Sequence, residues 1–226
     1  YHGASYPNAA SDIDRILDKE AERLAMSELE KHRTAELNAE AQEIEYGDIH
    51  GGVNKVIYRM SNVPESLVEA YESAAPQLLQ ISRQLQKAVK DKLQDKRKGG
   101  KHTGLYLGRR LDVHALPRRD GRIFYKNSLP NDTPELAVGL LLDESGSMSY
   151  GDRATYARTS ALILHDFCTA MKIPVMVYGH STGSSNVALY SYAEFESYDN
   201  QDKYRLMDIS SRSSNRDGAA LRYMLE

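Results

Sequence analysis

Leu136-Ala-Val-Gly-Leu-Leu-Leu-Asp-Glu-Ser-Gly-Ser-Met148 runs from an unbroken apolar stretch straight into a polar turn. An apolar run without alternation, bounded by Gly and Ser, matches a strand covered on both faces. Such a strand is expected in the middle of an α/β sheet. Directly behind it the chain places Asp143, Ser145 and Ser147 at alternate positions. Ligands of open α/β sheets bind beyond the carboxyl ends of the strands, so this turn is where a site is expected.

The chemistry of the turn suits a hard cation. Asp143, Ser145 and Ser147 offer only oxygen, and Gly146 is expected to let the backbone fold tightly enough for them to converge. Magnesium favours oxygen donors in an octahedron, takes few carboxylates and keeps waters. One carboxylate with two hydroxyls fits that better than it fits zinc. The plainer alternative is an ordinary strand-to-helix turn with serine capping.

Asp143-Glu-Ser-Gly-Ser-Met148 behind a buried strand resembles the metal-ion-dependent adhesion site, D-x-S-x-S, of von Willebrand factor A domains, where it follows the first, central strand. That family has a second loop, often Thr-x-x-Gly before a helix carrying Ala-Leu, and the matching run is Asn215-Arg-Asp-Gly-Ala-Ala-Leu221. Asn215 stands where the family has Thr. Its amide oxygen is therefore implied as a direct or water-mediated ligand, with Asp217 as a further candidate. The implied metal set is Asp143, Ser145, Ser147, Asn215 and Asp217, holding magnesium or another divalent cation. The family's third loop, with another Asp, has no counterpart before Glu226.

A charged helical region, a basic linker, a strand, the Leu-Leu-Leu-Asp-x-Ser-Gly-Ser-Met string and the Asn-x-Asp-Gly loop are together similar to cobaltochelatase accessory subunits and nitric-oxide-reductase activation proteins. The likeness covers most of residues 46–226 and is strongest from 135 onward. It implies a domain with no catalytic residues that docks on a ring-forming AAA+ ATPase of the MoxR/chelatase type. A carboxylate from that partner would complete the metal shell, coupling ATP hydrolysis to metal insertion or to activation of a client metalloenzyme or chelatase subunit. The ATPase must be another chain, because Gly100-Lys101-His102 lacks the leading Gly and the Ser/Thr of a phosphate-binding loop.

A chain of 226 residues has room for one such domain and an appendage. The expected division is a helical charged arm or helical hairpin over 1–98, a basic linker and lead-in strand over 99–134, and a partial von Willebrand A domain over 135–226. The expected fold is a doubly wound, mostly parallel, Rossmann-like α/β sheet. Net charge is -3, yet 14 of the 29 basic residues and only 4 of the 32 acidic ones fall between Arg83 and Lys126. That segment matches no nucleic-acid module, so a partner-facing linker is the better reading than nucleic-acid binding. The lone Cys168 excludes an internal disulfide and favours a reducing, cytoplasmic compartment. No apolar run approaches the roughly 18 residues that span a bilayer. The chain opens on Tyr1 and closes at Glu226 inside an apparent helix, so a segment of a longer protein is expected and the missing leader is no evidence.

Along the chain, Ser11 to Glu45 reads as a long helix broken over Gly47 to Gly52, and Lys55 to Arg59 as a short strand. Pro64 to Lys96 reads as a second helix, kinked or divided at Pro76. Its Leu67, Tyr71, Ala74, Leu78, Ile81, Leu85 and Ala88 are expected to form the seam of a helical hairpin or coiled coil. Arg122 to Lys126 is expected to be a strand leading to the central one. Asp152 to Lys172 reads as a helix with Ala157, Ala161, Leu164, Phe167, Cys168 and Met171 toward the sheet, Cys168 being a packed thiol. His165 and Asp166 are adjacent on that helix and so make a poor catalytic pair. Pro174–Tyr178 and Asn186–Phe195 are expected to pair as an antiparallel hairpin at the sheet edge. Asp199–Ile209 reads as helical, 210–218 as a polar loop, and Ala219 onward as a helix.

Three rivals share these residues. Gly179-His-Ser181-Thr-Gly183 has the form of a serine-hydrolase elbow, but a strand follows it where that fold needs a helix, and no His occurs after His180. A haloacid-type phosphatase with Asp143 as nucleophile would need Asp where Ser145 stands. An extracellular adhesion domain uses the same metal turn but would more often carry paired cysteines.

Overall fold

The computed structural model describes residues 9–44, 46, 52–97, 101–108, 110–118, 120–127, 136–183 and 186–226. The expected break at 47–51, the linker residues 98–100 and the loop positions 184–185 lie outside them. Among the described residues run α1 (Ala9–Glu43), β1 (Asn54–Arg59), α2 (Glu65–Arg97), β2 (Lys101–Leu105), β3 (Arg110–Leu111), β4 (Phe124–Asn127) and β5 (Val138–Asp143). There follow α3 (Arg153–Ala170), β6 (Val175–Thr182), β7 (Asn186–Ala193), α4 (Asp202–Arg205) and α5 (Asp217–Leu225).

The main sheet has the order β1-β7-β6-β5. β1 pairs with β7 and β5 with β6 in parallel, while β6 and β7 form the expected antiparallel hairpin. That ladder lies inside the sheet rather than at its edge, because β1 adds outside β7. The fold is therefore mixed α/β, with a mostly parallel sheet and helices on both faces. Leu37 and Ala41 of α1 and Ala219 and Ala220 of α5 pack with Ile57, Tyr178, Val187 and Leu189 on one face. Ala161, Leu162 and Cys168 of α3 pack with Val175, Val177, Tyr192 and Ala193 on the other, joined by Tyr71 and Leu78 of α2.

β5 departs from its expected central position: it is the edge strand of this sheet. Its side chains do turn to both faces, Leu141 toward the α1/α5 cluster and Val138, Leu140 and Leu142 toward the α3 cluster. An unbroken apolar run records coverage of two faces, and pairing along two edges is a separate property.

The two long helices also differ from expectation. α1 and α2 sit on different faces of the sheet instead of forming a hairpin with each other. α2 packs along α3, and its seam is shifted by one residue past its midpoint. Ser82 is fully buried while Ile81 is 46% exposed and Leu85 39%. Pro76 lies inside α2 without dividing it; one missing N–H is tolerable in a long helix held along its length by a neighbour. β4 does not lead to the central strand but pairs with β2 and β3 in a second, small antiparallel sheet.

Charge fastens α1 as well as apolar packing. Arg59 Nε donates to Glu30 at 2.5 Å, with both side chains fully buried, and Nη2 donates to Asp202 at 3.0 Å. Arg205, also buried, donates to Asp202 at 2.8 Å, to Asp199 and to the Met60 carbonyl at 2.7 Å. Buried charges survive only when paired and hydrogen-bonded, and these meet that condition. Among the described residues no helix is long and apolar enough to cross a membrane.

Candidate metal centre

β5 delivers Asp143 to the sheet end, and the chain then enters a 3-10 segment, Gly146–Asp152, before α3. The Ser145 N–H donates to Asp143 Oδ1 at 2.8 Å and its hydroxyl to Oδ2 at 3.1 Å. The hydroxyls of Ser145 and Ser147 are 3.0 Å apart. The three residues expected from the sequence therefore do meet, and among the described residues no basic side chain pairs with the Asp143 carboxylate. Gly146 does not have the role expected of it. Its φ is outside the left-handed region, and a Cβ there would meet only the Ser213 carbonyl, at 3.5 Å. The Asp143 side chain closes the turn by accepting from Ser145, as Asx turns do.

Segment 210–216 lies across this turn. Gly146 N–H donates to the Ser213 carbonyl, and Arg212 N–H to the Glu144 carbonyl at 2.6 Å. Ser213 N–H donates to Ser181 Oγ at 3.2 Å, while Thr182 and Ser214 exchange backbone bonds of 2.7 and 3.2 Å. Asn215 and Asp217 thus stand at the same end of the sheet as Asp143. Asn215 is exposed and makes no hydrogen bond among the described residues. Asp217 opens α5 with its side chain 69% exposed and Oδ1 3.6 Å from His180 Nε2. His180 is buried, and its Nδ1 has no partner among the described residues. Neither Asn215 nor Asp217 hydrogen-bonds to the side-chain oxygens of Asp143, Ser145 or Ser147.

Sequence reasoning passed over the residue between the first two donors. Glu144 is fully buried, with its carboxylate accepting from Tyr192 OH at 2.5 Å and from Arg212 Nε at 2.5 Å. Burial pushes its carboxyl above the ordinary range, and the Tyr192 and Arg212 bonds act against that push. Gly179 makes room for it: a Cβ at that position would lie 2.3 Å from Glu144 Oε1. A carboxylate next to an expected ligand was visible in the sequence, but nothing local marked it as buried.

Gly179 to Thr182 form part of β6 itself rather than a turn. Ser181 is buried, accepting from Ser213 N–H and donating to the Ser214 carbonyl at 3.4 Å. That gives its hydroxyl a structural task, and no base lies within hydrogen-bond reach of it among the described residues. Burial likewise raises the Cys168 thiol, which packs in the core as expected.

No group of three or more His, Cys, Asp or Glu placed to hold a metal occurs among the described residues. The Asp143 turn differs in composition, having one carboxylate and two hydroxyls. In a magnesium octahedron with bonds of about 2.1 Å, neighbouring donors are about 3.0 Å apart. The 3.0 and 3.1 Å spacings of Ser145 Oγ to Ser147 Oγ and to Asp143 Oδ2 are compatible with adjacent vertices. Hydrogen bonds have the same spacing, so without a metal the three groups hold one another in place.

Comparison with protein-family models, curated proteins and solved structures returned no match.

Proposed function

We propose that the Asp143 turn is a magnesium-dependent protein-docking site of the von Willebrand A kind. The observation that carries this reading is the convergence of Asp143, Ser145 and Ser147 at adjacent-vertex spacing, unmatched by a basic side chain among the described residues and beside segment 210–217. Asp143, Ser145 and Ser147 would hold the ion, with Asn215 or Asp217 reaching it directly or through water. The bound ion would supply a positive centre for a partner's carboxylate. No substrate bond is made or broken by this chain.

The surroundings suit docking. Tyr150 and Tyr156, 76% and 68% exposed, follow the turn in the 3-10 segment and α3. Exposed aromatics beside a charged centre are typical of interface patches. In this reading the partner is a ring-forming AAA+ ATPase of the chelatase type, the client a metalloenzyme or chelatase subunit, and the compartment the cytoplasm.

The test is thermal unfolding with magnesium chloride against chelator. Magnesium at 100 times its Kd should add about 2.7 kcal/mol of stability, because it binds the folded chain alone. Asp143→Ala should remove that gain. Equal midpoints for the wild type in both solutions would count against the site. Magnesium-dependent capture of a purified chelatase-type ATPase, lost in Asp143→Ala, tests the partner.

A further inference from the structure

We infer that the pair of buried Glu144 and partly exposed Arg212 is the positioning element of this site, fixing the separation between the Asp143 turn and segment 210–217 and so setting metal affinity without either side chain being a ligand. The inference rests on the magnesium reading above. Glu144 stands between Asp143 and Ser145 in sequence, but its side chain enters the closed cradle of Gly179, Tyr192 and Arg212. Both of its carboxylate oxygens are taken, Oε1 by Tyr192 and Oε2 by Arg212.

Arg212 is held from other sides as well. Its Nη2 donates to Asp208 Oδ2 at 2.8 Å and to Tyr192 OH at 3.2 Å, and its guanidinium lies 3.9 Å from the Tyr190 ring centre. The same residue's N–H donates to the Glu144 carbonyl. Any shift of segment 210–217 therefore pulls on Glu144 through both side chain and backbone, and the residues on either side of Glu144 are the first two donors. Coupling of this kind is reciprocal: an ion that tightens the turn also orders the segment, and a partner pressing on the segment alters affinity for the ion.

Groups that orient metal ligands typically change affinity 10- to 100-fold when lost. Isothermal titration with magnesium chloride, together with amide hydrogen exchange without metal, tests the assignment. The proteins are the wild type, Glu144→Gln, Arg212→Met, the double variant, and Val175→Ala as a destabilised control at the opposite end of β6 from the turn. Expected are affinities about tenfold weaker in each single variant, no further loss in the double variant, and wild-type affinity in the control. In Glu144→Gln the amides of Gly146 and Ser213 should exchange faster together.

Wild-type affinity in both single variants, or an equal loss in the control, overturns the inference. If the wild type itself takes up no magnesium, the metal reading falls and exchange alone decides the tie. Joint acceleration of Gly146 and Ser213 then upholds the tie between turn and segment while its setting of metal affinity falls, and acceleration confined to residue 144 refutes the tie as well.

Discussion

Replacing Gly179 by Ala puts a methyl group where the Glu144 carboxylate now lies. The new carbon would sit 2.3 Å from Oε1, 2.6 Å from Cδ and 3.0 Å from the Tyr192 ring. Ordinary contact requires Oε1 to retreat by about 1 Å, which breaks its 2.5 Å hydrogen bond from Tyr192 and, as the carboxylate turns, disturbs the 2.5 Å bond from Arg212 to Oε2. Overpacking costs about 1–3 kcal/mol, and a hydrogen bond to a charged group about 1.5–3 kcal/mol. Partial relaxation makes about 3 kcal/mol a fair expectation, or ~6–12 °C in Tm for a chain of this size. Urea unfolding measures it, with Gly146→Ala as control, since a methyl there meets only the Ser213 carbonyl at 3.5 Å. A Gly179→Ala loss below about 0.5 kcal/mol, or an equal loss in Gly146→Ala, would refute the cradle around Glu144.

Glu30→Ala should destabilise by about 3 kcal/mol in urea, because it removes one partner of a fully buried ion pair and leaves Arg59 leaning on Asp202. Asp199 gives a pH signature: burial alone would raise its carboxyl, but the Arg205 bonds and charge outweigh that and hold it below the ordinary value. Its stabilising share is therefore present above the unfolded-state value and lost as pH falls through the lowered one. The stability gap between the wild type and Asp199→Asn should be full at neutral pH and close in acid; a gap constant down to pH 2 would contradict it. Ser181→Ala should cost about 1 kcal/mol at most, and a fluorophosphonate reagent should leave the wild type unlabelled. Labelling at Ser181 would restore the hydrolase reading.

Elements with a strong period were legible in the sequence. α1, α3, α5 and β1 fall close to where periodicity places them, and the β6–β7 hairpin forms as expected although β6 runs four residues past Tyr178, to Thr182. What escaped was set by tertiary context. Glu30, Arg59, Asp202 and Arg205 look like solvated charges on short local windows, and only their meeting across long sequence distances allows them to be buried. On α2 the larger side chains Ile81 and Leu85 outscored Ser82 as core candidates, yet the serine is the one the packing buries. β2 and β3 lie in a basic, Gly-rich stretch without alternation, so nothing local announced them or their pairing with β4, the strand expected over Arg122 to Lys126. At the candidate site the meeting of Asp143, Ser145 and Ser147 could be read from their spacing. Their support could not, because Glu144 and Arg212 meet only when two distant loops fold against each other.

The first half of α1 bears on how this chain can be shortened. Residues 12–25 are exposed throughout, whereas from Ser27 onward the helix presents buried positions at Ser27, Glu30, Leu37 and Ala41. Trimming as far as Met26 should therefore leave a folded remainder. A cut beyond Glu30 would take from the buried Arg59 guanidinium one of its two carboxylates, and a stretch that looks dispensable because it is helical and highly charged would prove indispensable.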